Sequence, residues 1–253
     1  MTDVTSIKHR FLIENPKRKK SRRLGWHQKI DPRNAQHTVK AHLESLGQAH
    51  LLSAPLVTKL WKRMLKPLNQ GNLGSCTGNA ICGLLATEPN NKDGIADDVK
   101  ITEKLAQQVY SKASQIDDIH GDWPPTDTGS TGLDALRAAK ALGFIAGYKH
   151  CTNAQEALQV LSHVGPIAIG TDWLAGMDTP KGKNKVLAIT GKNEGGHEYE
   201  VLGIDVENNW VEMINSWGSS WGLKGRARIM IPDFLALIDK MGGDAVLILP
   251  PTR

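Results

Sequence analysis

Acyl transfer by a thiol needs a cysteine, a proton acceptor and a group that orients that acceptor. The chain carries all three at separated places: Cys76 in NQGNLGSCTGNA (69–80), His197 in NEGGHEYEVLGID (193–205) and Asn215 in INSWGSSWGLKGRARI (214–229). Cys76 stands where a Gly-containing loop gives way to an apolar run, Ala80, Ile81, Leu84 and Leu85, which reads as a buried helix. A thiol at a helix start meets unpaired N–H groups and the positive end of the macrodipole, both of which favour thiolate. Taken alone, the same stretch reads equally as a glycine turn before a core helix that holds a small buried cysteine. His197 follows two glycines and opens a strand, and Asn215 closes the next one. In that arrangement His197 takes the thiol proton and the Asn215 side-chain oxygen fixes the ring. The Gln70 amide and the Cys76 backbone N–H can donate to a developing oxyanion. Trp217, beside Asn215, is of a size to shield the His–Asn bond from water.

The other candidates carry less chemistry. Cys82 lies six residues past Cys76, about 240° round a helix, and so faces away from it; Cys151 reads as a small buried or idle residue. His150 adjoins Cys151, but no further His/Cys pair completes a metal-ligand spacing, so no metal and no cofactor is expected. Trp26, Trp61, Trp123, Trp173 and Trp210 read as core or cleft-lining residues, with Trp123 and Trp173 placed in loops as candidates for substrate contact.

Helices come first along the chain and strands later. After the Cys76 helix and a polar loop (Pro89–Asp98), helices are expected over Thr102–Ser114 with Thr102 as cap, Leu133–Leu142 stopped by Gly143, and Asn153–Leu161. Strands are expected over Pro166–Thr171, Lys185–Thr190, Glu198–Asp205, Trp210–Trp217, Gly225–Ile231 and Ala245–Leu249, with a short helix at Asp233–Met241. Gly25–Asn34 reads as an extended lead-in with a turn at Asp31-Pro32, and 39–66 has no clear period. This order argues for an α+β protein in which a helical half (about 70–150) meets a sheet or barrel half (about 151–253) at a cleft.

Composition excludes several classes. At 253 residues, 40% hydrophobic and 23% charged, the chain can bury a real core. No stretch approaches the roughly 20 apolar residues of a membrane span, and the N-terminus lacks the apolar region of a secretory signal, so a cytoplasmic setting is expected. Three cysteines cannot build a disulfide framework. Of the net charge of +5, residues 1–29 hold +7 (nine Lys/Arg against Asp3 and Glu14), which leaves −2 on the rest. The protein is therefore a near-neutral body (25–253) behind a basic, flexible arm (1–24). Any nucleic-acid or acidic partner has to be met by that arm.

The motifs QGNLGSC, GGH before a strand, and NSWGSSWGLKG resemble, in that order, those of papain-like cysteine peptidases, and more closely the short bacterial and bacteriophage members. Leu73 stands where a disulfide cysteine often sits, and Thr77 replaces the usual tryptophan. The resemblance covers roughly 25–250. It implies a papain-like two-subdomain fold, a helical half and an antiparallel β-barrel-like half with the site between them. It assigns Cys76 as nucleophile, His197 as base and acid, Asn215 as orienter and Gln70 as oxyanion donor, acting on a peptide or protein substrate, in a host cytoplasm or virion if phage-encoded. No long inhibitory leader is expected before residue 60. Two other readings stay open: a virion or assembly protein that keeps the fold without turnover, and an amidase or transpeptidase that passes the same acyl group to an amine.

Overall fold

A computed structural model describes residues 24–29, 31–90 and 100–251. The basic arm up to Arg23 and most of the polar loop after Asn90 lie outside the described residues. The strands are β1 (Trp26–His27), β2 (Lys59–Leu60), β3 (Ser130–Thr131), β4 (Gly147–His150), β5 (Ile167–Leu174), β6 (Asn193–Asp205), β7 (Trp210–Ile214), β8 (Arg226–Met230) and β9 (Asp244–Leu249). The α-helices are α1 (Val39–Ser45), α2 (Cys76–Leu85), α3 (Glu103–Ser114), α4 (Gly132–Ala141), α5 (Ala154–His163) and α6 (Ile231–Leu235), the last running on as a π-turn through Ala236–Lys240.

Side-chain caps start the helices where polar residues precede apolar periodicity. Thr102 accepts from the Leu105 N–H, Thr131 from Asp134 and Asn153 from Glu156, each satisfying a donor that the first turn leaves unpaired. Gly143, at φ 77°, ends α4 in the left-handed region that a side chain resists.

Helix α2 is buried along its whole length because it lies between α3 and α4 on one side and β6 on the other. Its approach to α3 depends on Gly78, where a Cβ would fall 2.3 Å from the Ala106 carbonyl oxygen. Gly78→Ala is expected to lower unfolding stability by about 2 kcal/mol, read from the urea midpoint, since the helices must part despite the better helix former.

Seven strands form one antiparallel sheet in the order β4-β9-β5-β6-β7-β8, with β2 pairing the far end of β6 beyond the reach of β5. The sheet is open, with β4 and β8 at its ends; the barrel-like half expected from the sequence is not closed. The expected strand at Lys185–Thr190 is also corrected. It makes only isolated bridges at Val186, one to Lys181 and one to Arg228 of β8, with Leu187 N–H donating to Arg228 O and Arg228 N–H to Lys185 O, so it covers the β8 edge without extending the sheet.

Two cores result. The α2–α4 helices pack on Ala168, Val246 and Ile248 of one sheet face, and α5 and α6 close the other over Ile167, Ile169, Tyr199, Val201 and Met213. Strand β6 runs between them and is buried on both sides from His197 to Ile204. Its helix-facing carboxylate Glu200 pairs with Arg63 and accepts from the Thr87 hydroxyl.

Candidate active site

Cys76 is the first residue of α2, and Gly74 just ahead of it is clamped by Asp127, whose carboxylate accepts from the Gly74 N–H at 3.0 Å and from the Tyr110 hydroxyl at 2.5 Å. The sulfur is met by the backbone N–H groups of Glu198, Gly25 and Thr77. The first of these belongs to the residue after His197, so the thiol sits at the mouth of β6 beside the imidazole-bearing peptide.

His197 Nε2 lies 2.8 Å from Asn215 Oδ1. That oxygen also accepts from the Ser216 N–H at 2.8 Å. Because a backbone N–H can only donate, the atom shared by Ser216 and His197 is the amide oxygen, and the proton of a neutral ring resides on Nε2. Nδ1 is then an acceptor, and it has no hydrogen-bond partner among the described residues. Two indoles pack on the ring and a third stands behind them. Trp217 lies nearly alongside at 4.9 Å and 32°, Trp173 meets it edge-on at 4.9 Å and 79°, and Trp221 backs both.

Gln70 is drawn to the Asn215 strand by an antiparallel bridge between Asn69 and Trp217 and by its own N–H donating to Ser216 O at 2.9 Å. Its side-chain oxygen accepts from the Ser216 hydroxyl and its amide nitrogen donates to Leu73 O at 2.7 Å. All four residues singled out in the sequence thus converge on the junction of α2 with β6 and β7. Cys82 points into the helical core and Cys151 packs beside the other. Among the described residues no group of three His, Cys, Asp or Glu side chains is placed to hold a metal ion, and no helix is long and apolar enough to cross a membrane.

Three features take places at the site that the sequence does not give them. Trp173, placed in a loop on sequence grounds, lies within β5, one residue from its end, and is a wall of the histidine pocket. Glu198, beside the thiol, is fully buried, and burial with Asp244 close by holds its carboxyl well above the usual range. Its only sequence signal is a charge inside an apolar strand.

The third is the stretch Leu24–His27, which lies across the thiol. A Cβ on Gly25 would fall 2.0 Å from Gly74 O, and Gly25 O accepts from the Ser130 N–H at 2.8 Å. Strand β1 pairs in parallel with β3, Trp26 opposite Ser130. Cys76 and His197 are both wholly inaccessible to solvent. Burial therefore pushes the thiol up to about 12, against the N–H contacts that favour thiolate, and pushes the imidazole down to about 4, against its bond to Asn215. Both groups are neutral in this closed arrangement.

No protein-family model and no curated protein sequence matches the chain. Solved structures do. Xylellain, a cysteine protease from Xylella fastidiosa, superimposes with a TM-score of 0.69 at 15% identity over 92% of this chain and 98% of that one. Procathepsin B S9 from Trypanosoma congolense gives 0.60 at 12% identity over 91% and 87%. Digestive procathepsin L 3 from the larval midgut of Tenebrio molitor gives 0.57 at 16% over 78% and 71%. The fold is that of papain-like cysteine proteases.

Proposed function

We propose that the protein is a cysteine-type peptidase whose nucleophile is Cys76. The observation that carries this reading is the histidine fixed through Nε2 by Asn215, with Nδ1 left as an unpaired acceptor beside the thiol-bearing helix start. In the open enzyme Nδ1 takes the Cys76 proton and the thiolate adds to the peptide carbonyl carbon. The oxyanion is held by the Cys76 N–H, one of the donors a helix start leaves free, and by the Gln70 amide once it turns from Leu73 O. The imidazolium then protonates the amine as the C–N bond breaks, leaving a thioester. Water, losing its proton to Nδ1, attacks the thioester, and the thiol leaves with the proton returned.

The closed form suits latency: the Gly25 segment offers the sulfur an N–H, where a substrate would offer a carbonyl carbon. The same burial of Cys76 also suits a protein that keeps the fold without turnover, and one assay decides between them. A cleavage-site profile on a proteome-derived peptide library is expected to show cuts that vanish in Cys76→Ala. Cleavage that survives Cys76→Ala, or none at all once Cys76 has been made reactive, sinks the reading.

A further inference from the structure

The loop that leads into the nucleophile has no covalent fastening, since Cys76, Cys82 and Cys151 are all free thiols. A chain of hydrogen bonds from α3 and the loop after it takes that place. Gly129 N–H donates to the Tyr110 hydroxyl at 3.0 Å, the hydroxyl donates to Asp127 Oδ1 at 2.5 Å, and the Asp127 carboxylate accepts from Gly74 N–H at 3.0 Å. Tyr110 is fully buried, and burial with Asp127 beside it pushes the phenol up, so it stays a donor. Gly74 admits the carboxylate because it has no side chain: a Cβ there would fall 2.8 Å from Asp127 Oδ1. The loop that bears Asp127 is itself held, by Thr126 N–H donating to Asp122 O at 3.0 Å and by the Ser111 hydroxyl donating to Trp123 O at 2.7 Å.

One peptide unit joins this chain to the oxyanion donors. The N–H held by Asp127 and the carbonyl that accepts from the Gln70 amide at 2.7 Å are the two ends of the Leu73–Gly74 peptide. In a planar trans peptide they point in opposite directions, so fixing one fixes the other. In the closed form the plane is held from both ends. During turnover Gln70 turns from Leu73 O to the oxyanion, and the plane then keeps its orientation through Asp127. Two residues on, the same backbone presents the Cys76 N–H, the other oxyanion donor. The closing segment, anchored by the buried Trp26 indole against Gly170 and Gly196, has no part in these bonds, so they persist when the site opens.

We infer that Asp127 is a positioning residue of the oxyanion hole: with Tyr110 behind it, it keeps the Leu73–Gly74 peptide, and through that peptide the Cys76 N–H, in place while the Gln70 amide serves the oxyanion. The inference rests on the peptidase reading and adds a residue that acts through the backbone of the loop. A carboxylate suits the task because it accepts from Gly74 and from Tyr110 at once, and bonds to an ionised acceptor are stronger than neutral ones. An amide in its place turns one of the two oxygens into a donor.

The test uses the full chain, natural and with Trp26→Ala, and compares two reactions of Cys76. In Asp127→Asn, kcat and kcat/KM for the library peptide cut fastest are expected to fall together about 10- to 100-fold, with KM within about twofold, part of what a whole oxyanion donor contributes. Iodoacetamide loses iodide from carbon as the sulfur attacks and forms no oxyanion, so its rate with the same variant is expected to stay within about threefold. Both reactions need the open site, so a change in how often it opens cancels from their ratio. Tyr110→Phe keeps the carboxylate on Gly74 but removes the hydroxyl behind it. It is expected to lower the ratio of cleavage to alkylation in the same sense, and Asp127→Asn/Tyr110→Phe no further than Asp127→Asn alone, since members of one network do not add. Should Asp127→Asn not fold, Tyr110→Phe alone gives the result. Equal losses in the two reactions, as a looser fold produces, or no loss in either, overturn the inference. Turnover separates the two ideas. No cleavage by the natural chain or by Trp26→Ala strikes the peptidase reading and this inference with it, whereas cleavage indifferent to Asp127 and Tyr110 strikes this inference alone.

Discussion

Replacing His197 by alanine is expected to lower kcat/KM for peptide cleavage about 10³- to 10⁴-fold, with kcat bearing most of the loss, because the proton acceptor for the thiol and the donor to the leaving amine are one ring. The fold should tolerate the change. Nδ1 is a buried acceptor without a partner among the described residues, so deleting the ring removes an unfavourable group along with its packing against Trp173 and Trp217. Asn215→Ala is expected to act through His197 and to cost less, about 10- to 100-fold, in line with the loss of an outer partner that fixes a ring. That variant leaves Nε2–H without its acceptor and frees the ring to rotate, so its pH–rate profile should shift together with kcat. A structural role for Asn215 would lower the melting temperature and leave that profile in place. Cleavage within threefold of the natural chain in His197→Ala would exclude this histidine as base.

How much of this was legible in the sequence depends on the range of the interactions. The helices carried by local caps, Thr102 and Asn153 above all, are readable because a side chain and the N–H it accepts from lie three residues apart. Cys76, His197 and Asn215 are readable because each sits beside glycines or at a strand end, where chemistry and backbone access coincide. Trp173 was misplaced since Asp172 breaks the apolar alternation of β5; what continues the strand is pairing to β6 through Gly195 and Gly196, which no local pattern announces. The Lys185–Thr190 run has strand composition but only one point of contact with the β8 edge. Strands β1 and β3, of two residues each, carry no periodicity at all. Their pairing lays Gly25 on the thiol across some fifty residues of chain, so the closed state had no signature within any window.

That closed state sets the second large effect. Trp26→Ala in the full chain removes the anchor of the segment. At the roughly 3 kcal/mol typical of losing a buried aromatic side chain, the open population rises more than a hundredfold, and iodoacetamide labelling of Cys76 rises with it. The pH dependence then tells which protonation state opens. In the closed form the thiol is pushed up to about 12 and the imidazole down to about 4, so neither is charged at neutral pH, and proton transfer between them is opposed by burial of both. Once water reaches the site, the helix-start N–H groups and the Asn215 bond favour thiolate and imidazolium together. The pair holds the same single proton as the neutral closed pair, so opening takes up none, and labelling of Trp26→Ala should be flat from about pH 5 to 8 as for a preformed ion pair. In Trp26→Ala/His197→Ala the thiol has no proton partner, and the rate should climb about tenfold per pH unit below its own pKa, tracking thiolate fraction. A tenfold-per-unit slope already present in Trp26→Ala would mean that the cysteine opens as a plain thiol, and His197 would then not be its base.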